Sequence, residues 1–231
     1  MKAIVTITSR GVVTLPAKLR QALGLKADDQ LIAETTPEGL LLRPAVTLPV
    51  EIYTPERERE FDAAEADLAA LLGNVRRPCP GARARRPADA GGCGAVRVFL
   101  DANVLFSAAK SDGAVRQLLR LLVESGHECW ADTYVVAEAR RNLAAKGPGT
   151  LDVLEALLSH IRVASAAHGN APAALVDWLP EKDWPVLAAA IRLGCDALVT
   201  GDRMHFGAGY GEAFGGVTIR SPRSLAERIL A

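Results

Sequence analysis

The chain has 231 residues, 27 Lys+Arg against 27 Asp+Glu and 49% apolar residues, enough for one or two domains with a substantial core. No run of about 18 apolar residues occurs, so no membrane-spanning helix is expected, and the stretch from Met1 to Ile7 lacks a signal-peptide pattern. Cys79, Cys93, Cys129 and Cys195 are irregularly spaced and define no disulfide framework; a cytoplasmic protein with no membrane partner is expected.

The zero net charge conceals blocks. Residues 1–45 hold six Lys/Arg against four Asp/Glu, residues 46–74 two against seven, and residues 75–95 five against one. Such a succession predicts parts with different partners.

Ala3 to Thr8 alternate, Ser9-Arg10-Gly11 turn the chain, and Val12 to Leu15 resume an extended run. Pro16 opens a short helix, Ala17 to Leu23, that Gly24 stops. Gln30 to Glu34 and Gly39 to Arg43 form a hairpin around Thr36-Pro37-Glu38-Gly39. A unit of about 45 residues is too small to stand comfortably alone, so a homo-oligomer, a dimer or larger, is expected.

Thr8-Ser9-Arg10-Gly11-Val12-Val13-Thr14-Leu15-Pro16, with Leu19-Arg20-Gln21-Ala22-Leu23-Gly24-Leu25 and Asp28-Asp29-Gln30-Leu31, resembles the AbrB/MazE/SpoVT swapped-hairpin DNA-binding domain. The likeness spans residues 1–45 and implies a small all-β, intertwined homodimer that binds operator DNA. It assigns DNA contact to Lys2, Thr8, Ser9, Arg10, Lys18 and Arg20. That suits their chemistry, because Arg grips phosphate or reads guanine and short hydroxyls fix register. The plainer reading of each basic residue is a solvated charge. Val12 departs from the polar residue usual in that family.

Beyond Pro44 the stretch Val46 to Tyr53 reads as extended, and Thr54-Pro55 open a helix to about Leu72. Phe61, Ala64, Leu68 and Leu72 make one narrow apolar stripe, while Glu51, Glu56, Glu58, Glu60, Asp62, Glu65 and Asp67 cover the rest. This tail, residues 46–74, has no core of its own and is expected to dock in a groove; a solvated spacer is the alternative. Residues 75–95 are rich in Gly, Pro, Ala and Arg and read as a flexible linker, as if two neighbouring genes had fused.

From Val96 helices and strands alternate. Val96 to Leu100 is a buried strand ending on Asp101. Further strands are expected at His127–Ala131, Ile161–Ala164, Ala197–Thr200 and Val217–Ile219. Helices are expected at Ala114–Ser125, Thr133–Ala145, Leu151–His160, Ala171–Trp178, Pro185–Leu193 and Ser221–Ile229. The alternation means an α/β domain over residues 96–231, with a parallel sheet covered on both faces.

Asp101, Glu138, Asp183 and Asp202 all fall at strand ends or helix starts on one edge of that sheet. Each alone reads as a cap or turn residue. Together they repel unless a cation neutralises them, and Mg²⁺ or Mn²⁺ suits an all-carboxylate site. Such ions activate water and stabilise the leaving oxygen of a phosphodiester.

Phe99-Leu100-Asp101-Ala102-Asn103-Val104-Leu105, Val136-Ala137-Glu138-Ala139-Arg140-Arg141-Asn142-Leu143, Lys182-Asp183 and Leu198-Val199-Thr200-Gly201-Asp202-Arg203-Met204-His205-Phe206 resemble the PIN-domain ribonucleases, above all the toxins of VapBC-type toxin–antitoxin pairs. The resemblance implies an α/β/α sandwich, catalysis and metal ligation by Asp101, Glu138, Asp183 and Asp202, and support from Asn103 and Thr200. Met204 stands where many relatives carry an acid, and His205 reads as a structural residue or a substrate contact. It further implies an inhibitory tail across the nuclease groove, carried by Arg57 or Arg59 with Phe61 and Leu68, because Arg pairs bidentately with carboxylates. The whole then reads as an antitoxin fused to an endoribonuclease acting on RNA, silenced by its own tail and autoregulated through operator DNA. Two alternatives are a DNA-binding regulator whose PIN-like half is silent, and a nuclease of RNA maturation.

Overall fold

A computed structural model describes residues 4–22, 25, 31–37, 39–44, 51–74, 95–166 and 177–230. The chain divides into two compact units, Met1–Leu48 with Ala167–Gly169, and Pro49–Ala166 with Asn170–Ala231.

In the first unit, helix α1 covers Ala17–Ala22 and strands β1 (Leu31–Thr36) and β2 (Gly39–Pro44) pair antiparallel, Ala33 opposite Leu42. The two earlier extended runs meet, among the described residues, only in a bridge between Ile7 and Val13. Between them the Thr8 N–H donates to Val12 O at 3.0 Å and Gly11 takes φ +76°, a conformation that glycine adopts without a Cβ penalty. Ile4, Ile7 and Val12 are 100%, 67% and 56% exposed. This unit leaves apolar surface uncovered.

The second unit starts with the tail. Helix α2 runs Pro55–Asn74, two residues past the expected end at about Leu72. Phe61, Leu68 and Leu72 are buried, and α2 packs on α3 (Ala102–Lys110), α4 (Ala114–Glu124) and α9 (Pro222–Leu230). The amphipathic stripe therefore faces protein rather than water. The expected linker falls almost wholly outside the described residues, as do Cys79 and Cys93.

The sheet has six strands: β3 (Arg97–Leu100), β4 (Glu128–Asp132), β5 (Arg162–Ala164), β6 (Ala197–Val199), β7 (Ala213–Phe214) and β8 (Val217–Arg220), in the order β5-β4-β3-β6-β8-β7. β3 lies parallel between β4 and β6, Phe99 opposite Trp130 and Leu198. Val98, Phe99 and Leu100 are fully buried, as an unbroken apolar run in a central strand requires. Only β7 runs antiparallel; the sequence reading expected a parallel sheet and did not foresee this two-residue edge strand, which is too short to show a period.

The remaining helices are α5 (Thr133–Lys146), α6 (Leu151–Leu158), α7 (Trp184–Arg192) and the single turn α8 (Arg203–Phe206). The expected helix at Ala171–Trp178 lies mostly outside the described residues, and Asp177-Trp178 form a turn. Cys129 and Cys195 are buried in the core. From β3 the chain passes to β4 on one side, and from β6 to β8 on the other. The crevice at the carboxyl ends of β3 and β6 is therefore the topological switch point, where open α/β sheets place ligands.

Candidate active site

Asp101 follows β3 directly and caps α3, its Oδ1 accepting the Ala102 N–H at 2.7 Å. The capping role foreseen as the plain alternative is thus real, yet it uses one oxygen only. Oδ2 accepts from the Asn103 amide at 2.6 Å and the Thr200 hydroxyl at 2.7 Å. Thr200 Oγ1 also accepts the Asp202 N–H at 3.0 Å, and Asn103 Oδ1 accepts the Gly201 N–H at 2.7 Å. Asn103 and Thr200 thereby tie the ends of β3 and β6 together and hold Asp101 in one orientation.

Asp202 caps α8, accepting the His205 N–H at 2.9 Å, and its Oδ2 is 2.7 Å from His205 Nδ1. Asp183 precedes α7 but makes no capping bond. Its Oδ2 is buried without a hydrogen-bond donor, and His205 Nδ1 lies 3.3 Å away. A buried carboxylate oxygen left without a donor is costly unless a cation completes it. Oxygen or nitrogen atoms of Asp183, Asp202 and His205 lie within 4.8 Å of one another, a donor set that suits a divalent ion. His205 therefore belongs to the tight group, while Asp101 and Glu138 stand outside it. The sequence offered no spacing signal for this, because His205 is carried in by the α8 turn.

The electrostatics link all four acids. Burial first, then the charges of Asp202 and Asp183, push Asp101 up to about 7 against the pull of the Thr200 hydroxyl. Burial and the Asp101 charge push Glu138 up to about 8. Burial pushes Asp183 up to about 6, opposed by His205 and Lys182. Asp202 goes the other way: burial acts to raise it, but hydrogen bonds from Arg57 and the His205 N–H hold it below the usual carboxylate range. Three reluctant carboxylates and one anchored anion make a centre that favours cations.

The cation that reaches it is Arg57. Its Nη1 donates to Asp202 Oδ1 at 2.7 Å and Nη2 donates to Oδ2. Nη1 also bonds Glu60 Oε2 at 2.6 Å, and Glu60 Oε1 accepts the Met204 N–H at 2.8 Å. Both groups of the Arg57–Asp202 pair are buried. Arg59, the other candidate, does not approach the acids: it is 71% exposed and pairs with Glu56 at 2.6 Å. Two residues of helix turn it by about 200° to the opposite face.

Ahead of the helix, Tyr53 donates its hydroxyl to Glu138 Oε1 at 3.0 Å, and its ring meets Phe61 and Phe106 edge-on at 4.9 and 5.2 Å. Asn142, wholly buried, accepts the Tyr53 N–H at 2.7 Å and donates to Glu51 O at 2.7 Å. Tyr53 and Asn142 escaped the sequence reading. A lone Tyr in an extended stretch carries no pattern, and Asn142 read as part of a helix motif.

In the first unit Thr8 Oγ1 accepts the Val12 N–H at 3.1 Å, which closes the turn that displays Ser9 and Arg10. Thr8, Ser9, Arg10, Lys18 and Arg20 are all exposed. Lys2 lies outside the described residues.

Two protein-family models match the chain. Residues 4–49 match "Antidote-toxin recognition MazE, bacterial antitoxin", and residues 97–204 match "PIN domain". The chain joins a MazE-type antitoxin segment to a PIN domain. The acid cluster lies at the carboxyl edge of the PIN domain's sheet, and within the same unit residues 51–74 reach it through Tyr53 and Arg57. Among solved structures, "VapBC2 from Rickettsia felis bound to a DNA fragment from their promoter" is similar at 15% identity and a TM-score of 0.40, covering 54% of this chain and 98% of that one. Comparison with curated proteins gives no match. No helix among the described residues is long and apolar enough to cross a membrane.

Proposed function

We propose that the PIN domain is a divalent-metal-dependent endoribonuclease kept silent by the tail of the same chain, and that the antitoxin segment binds operator DNA as a homodimer. The observation that carries this reading is Arg57: a buried guanidinium from the tail occupies Asp202, in the group best suited to a metal. Asp101, Glu138, Asp183 and Asp202 are the catalytic acids in this reading, with Mg²⁺ or Mn²⁺ held by Asp183 and Asp202 and assisted by His205. The ion would supply an activated water and charge neutralisation at the phosphodiester. Asn103 and Thr200 orient Asp101. Burial raises Glu138 to about 8 and Asp101 to about 7 beneath the tail, so each carboxyl takes up a proton more readily than a free acid and is able to hold or pass one. Tyr53 and Arg57 cover two of the acids and exclude water and substrate together.

The dimer is supported by apolar side chains left largely exposed, Ile4, Ile7 and Val12, and burying such groups stabilises by about 25 cal/mol per Å². Exposed Arg10, Lys18 and Arg20 suit a phosphate backbone.

The test is cleavage of a mixed RNA pool with Mn²⁺ by three full-length proteins: the parent, Arg57→Ala, and Arg57→Ala with Asp101→Asn. Cleavage that is weak in the first, strong in the second and absent in the third is expected. A well-folded Arg57→Ala protein without cleavage would leave a DNA-binding regulator with a silent PIN half.

A further inference from the structure

The tail carries more carboxylates than its buried stripe requires, and besides Asp62, 3.7 Å from Lys110 Nζ, three of them end on positive groups of the PIN domain. Glu51 Oε2 takes Lys182 Nζ at 2.5 Å. Glu58 bridges Lys110 Nζ, at 3.1 Å, and Lys146 Nζ. Glu65 lies on the amino end of α4, accepting the Ala114 N–H and, at 3.1 Å, the Val115 N–H. Gly113 leaves that helix end bare; a Cβ there would run into the Glu65 carboxylate. The three acids recur every seven residues, so Glu58 and Glu65 project from one side of α2 about 10.5 Å apart. Between these anchors the tail crosses the acids, with Tyr53 on Glu138 and Arg57 on Asp202.

Partly exposed ion pairs contribute only about 0–1 kcal/mol each, so holding the tail gives little reason for three of them. Phe61, Leu68, Leu72 and the Arg57–Asp202 pair already do that. The arrangement makes sense from the other side of the contact. Without the tail, the PIN domain would present Lys110, Lys146, Lys182 and the α4 amino end as a broken line of anion-binding groups past its acids. Lysines and helix amino ends bind backbone phosphates without regard to sequence.

We propose that Lys110, Lys146, Lys182 and the amino end of α4 are the subsites for RNA backbone phosphates, and that Glu51, Glu58 and Glu65 of the tail stand in for those phosphates. The proposal rests on the ribonuclease reading above. The tail then blocks the domain twice over: Arg57 takes the place of the cation, and the carboxylates take the places of the substrate's charges.

The experiment measures binding of a fluorescent, mixed-sequence single-stranded RNA by the full chain made non-cleaving with Asp101→Asn and tail-released with Arg57→Glu and Phe61→Ser. Each of Lys110→Gln, Lys146→Gln and Lys182→Gln is expected to weaken binding several-fold and to reduce the slope of log K against log salt by about 0.7. Lysine variants that keep the affinity and slope of their parent overturn the proposal, and so does a tail-released parent that binds no RNA. A second comparison leaves the apolar stripe and Arg57 in place. Glu51→Gln, Glu58→Gln and Glu65→Gln together are expected to bind RNA several-fold more tightly than an equal-charge control carrying Glu56→Gln, Asp67→Asn and Glu212→Gln; equal affinities overturn it. The ribonuclease reading fails separately, if Arg57→Ala cleaves no RNA with Mn²⁺ whatever the binding shows.

Discussion

Arg57 and Asp202 meet through two hydrogen bonds, Nη1 to Oδ1 at 2.7 Å and Nη2 to Oδ2, although 145 residues separate them. The planar fork of the guanidinium matches a carboxylate edge, which an ammonium cannot do. Arg57→Lys is therefore expected to behave nearer to Arg57→Ala than to the parent. Single-turnover cleavage of RNA with Mn²⁺ checks this; a fully silent lysine variant would show that charge alone suffices.

Leu68 is wholly buried on the tail's stripe and makes no hydrogen bond to the clustered acids. Its truncation removes apolar contact and leaves a cavity, worth about 2–5 kcal/mol. Leu68→Ala should release the tail and raise cleavage in the same direction as Arg57→Ala, with the acids untouched. Cleavage held at the parent's level, with the melting temperature lowered, would uncouple docking from silence.

Asp101→Asn preserves an oxygen for the Ala102 N–H and an amide of the same size. We expect RNA cleavage to fall at least about 100-fold, as loss of a positioned acid–base or charge-stabilising group does, and stability to fall by about 1–3 kcal/mol, because the new amide nitrogen replaces the Oδ2 that accepted from the Asn103 amide and the Thr200 hydroxyl. Circular dichroism and the cleavage assay together decide it: a normal spectrum with undiminished cleavage would remove Asp101 from the site.

The raised carboxylates set a pH dependence. Asp101, Glu138 and Asp183 stand at about 7, 8 and 6, above their unfolded values near 4. Groups raised in this way stabilise the fold fully below pH 4, and that stabilisation is lost as pH climbs through 6 to 8. In EDTA the melting temperature should fall between pH 5.5 and 8.5, and Mn²⁺ should restore more of it at the higher pH, where fewer protons compete with it. Asp101→Asn should flatten the EDTA profile; an unchanged slope in that variant would contradict the raised value.

Arg10 occupies the exposed tip of the turn closed by Thr8 and Val12. Arg10→Ala should weaken operator binding and lower the slope of log K against log salt by about 0.9 if it neutralises one phosphate. RNA cleavage by the Arg57→Ala chain should not change with it. A gel-shift titration at several salt concentrations is the measurement.

Much of this protein could be read in one dimension. Local patterns have local causes: the apolar run Val98–Leu100 makes a central strand because both its faces are buried, Gly11 marks a turn because of its positive φ, and Phe61, Leu68 and Leu72 recur at helical spacing because one face of α2 is covered. The MazE-type and PIN matches, with the mostly parallel sheet, followed from such patterns and from recognisable motifs. Strand ends carrying acids pointed to the crevice at β3 and β6 for the same reason: in a parallel sheet all carboxyl ends face one way.

Only the tertiary structure decided which groups meet. Arg57 and Arg59 have the same chemistry two residues apart, and helix phase alone sends one into the acids and the other into water. His205 enters the metal-suited group through the short turn that Asp202 caps, and Asn142 grips the tail backbone across 89 residues of chain. These choices depend on the docking angle of a helix and the course of short turns, which composition and periodicity do not encode. Sequence by itself determined the elements and the edge at which the acids gather; packing determined the partners, because hydrogen bonds and charge pairs extend only a few ångströms and the fold alone brings distant residues that close.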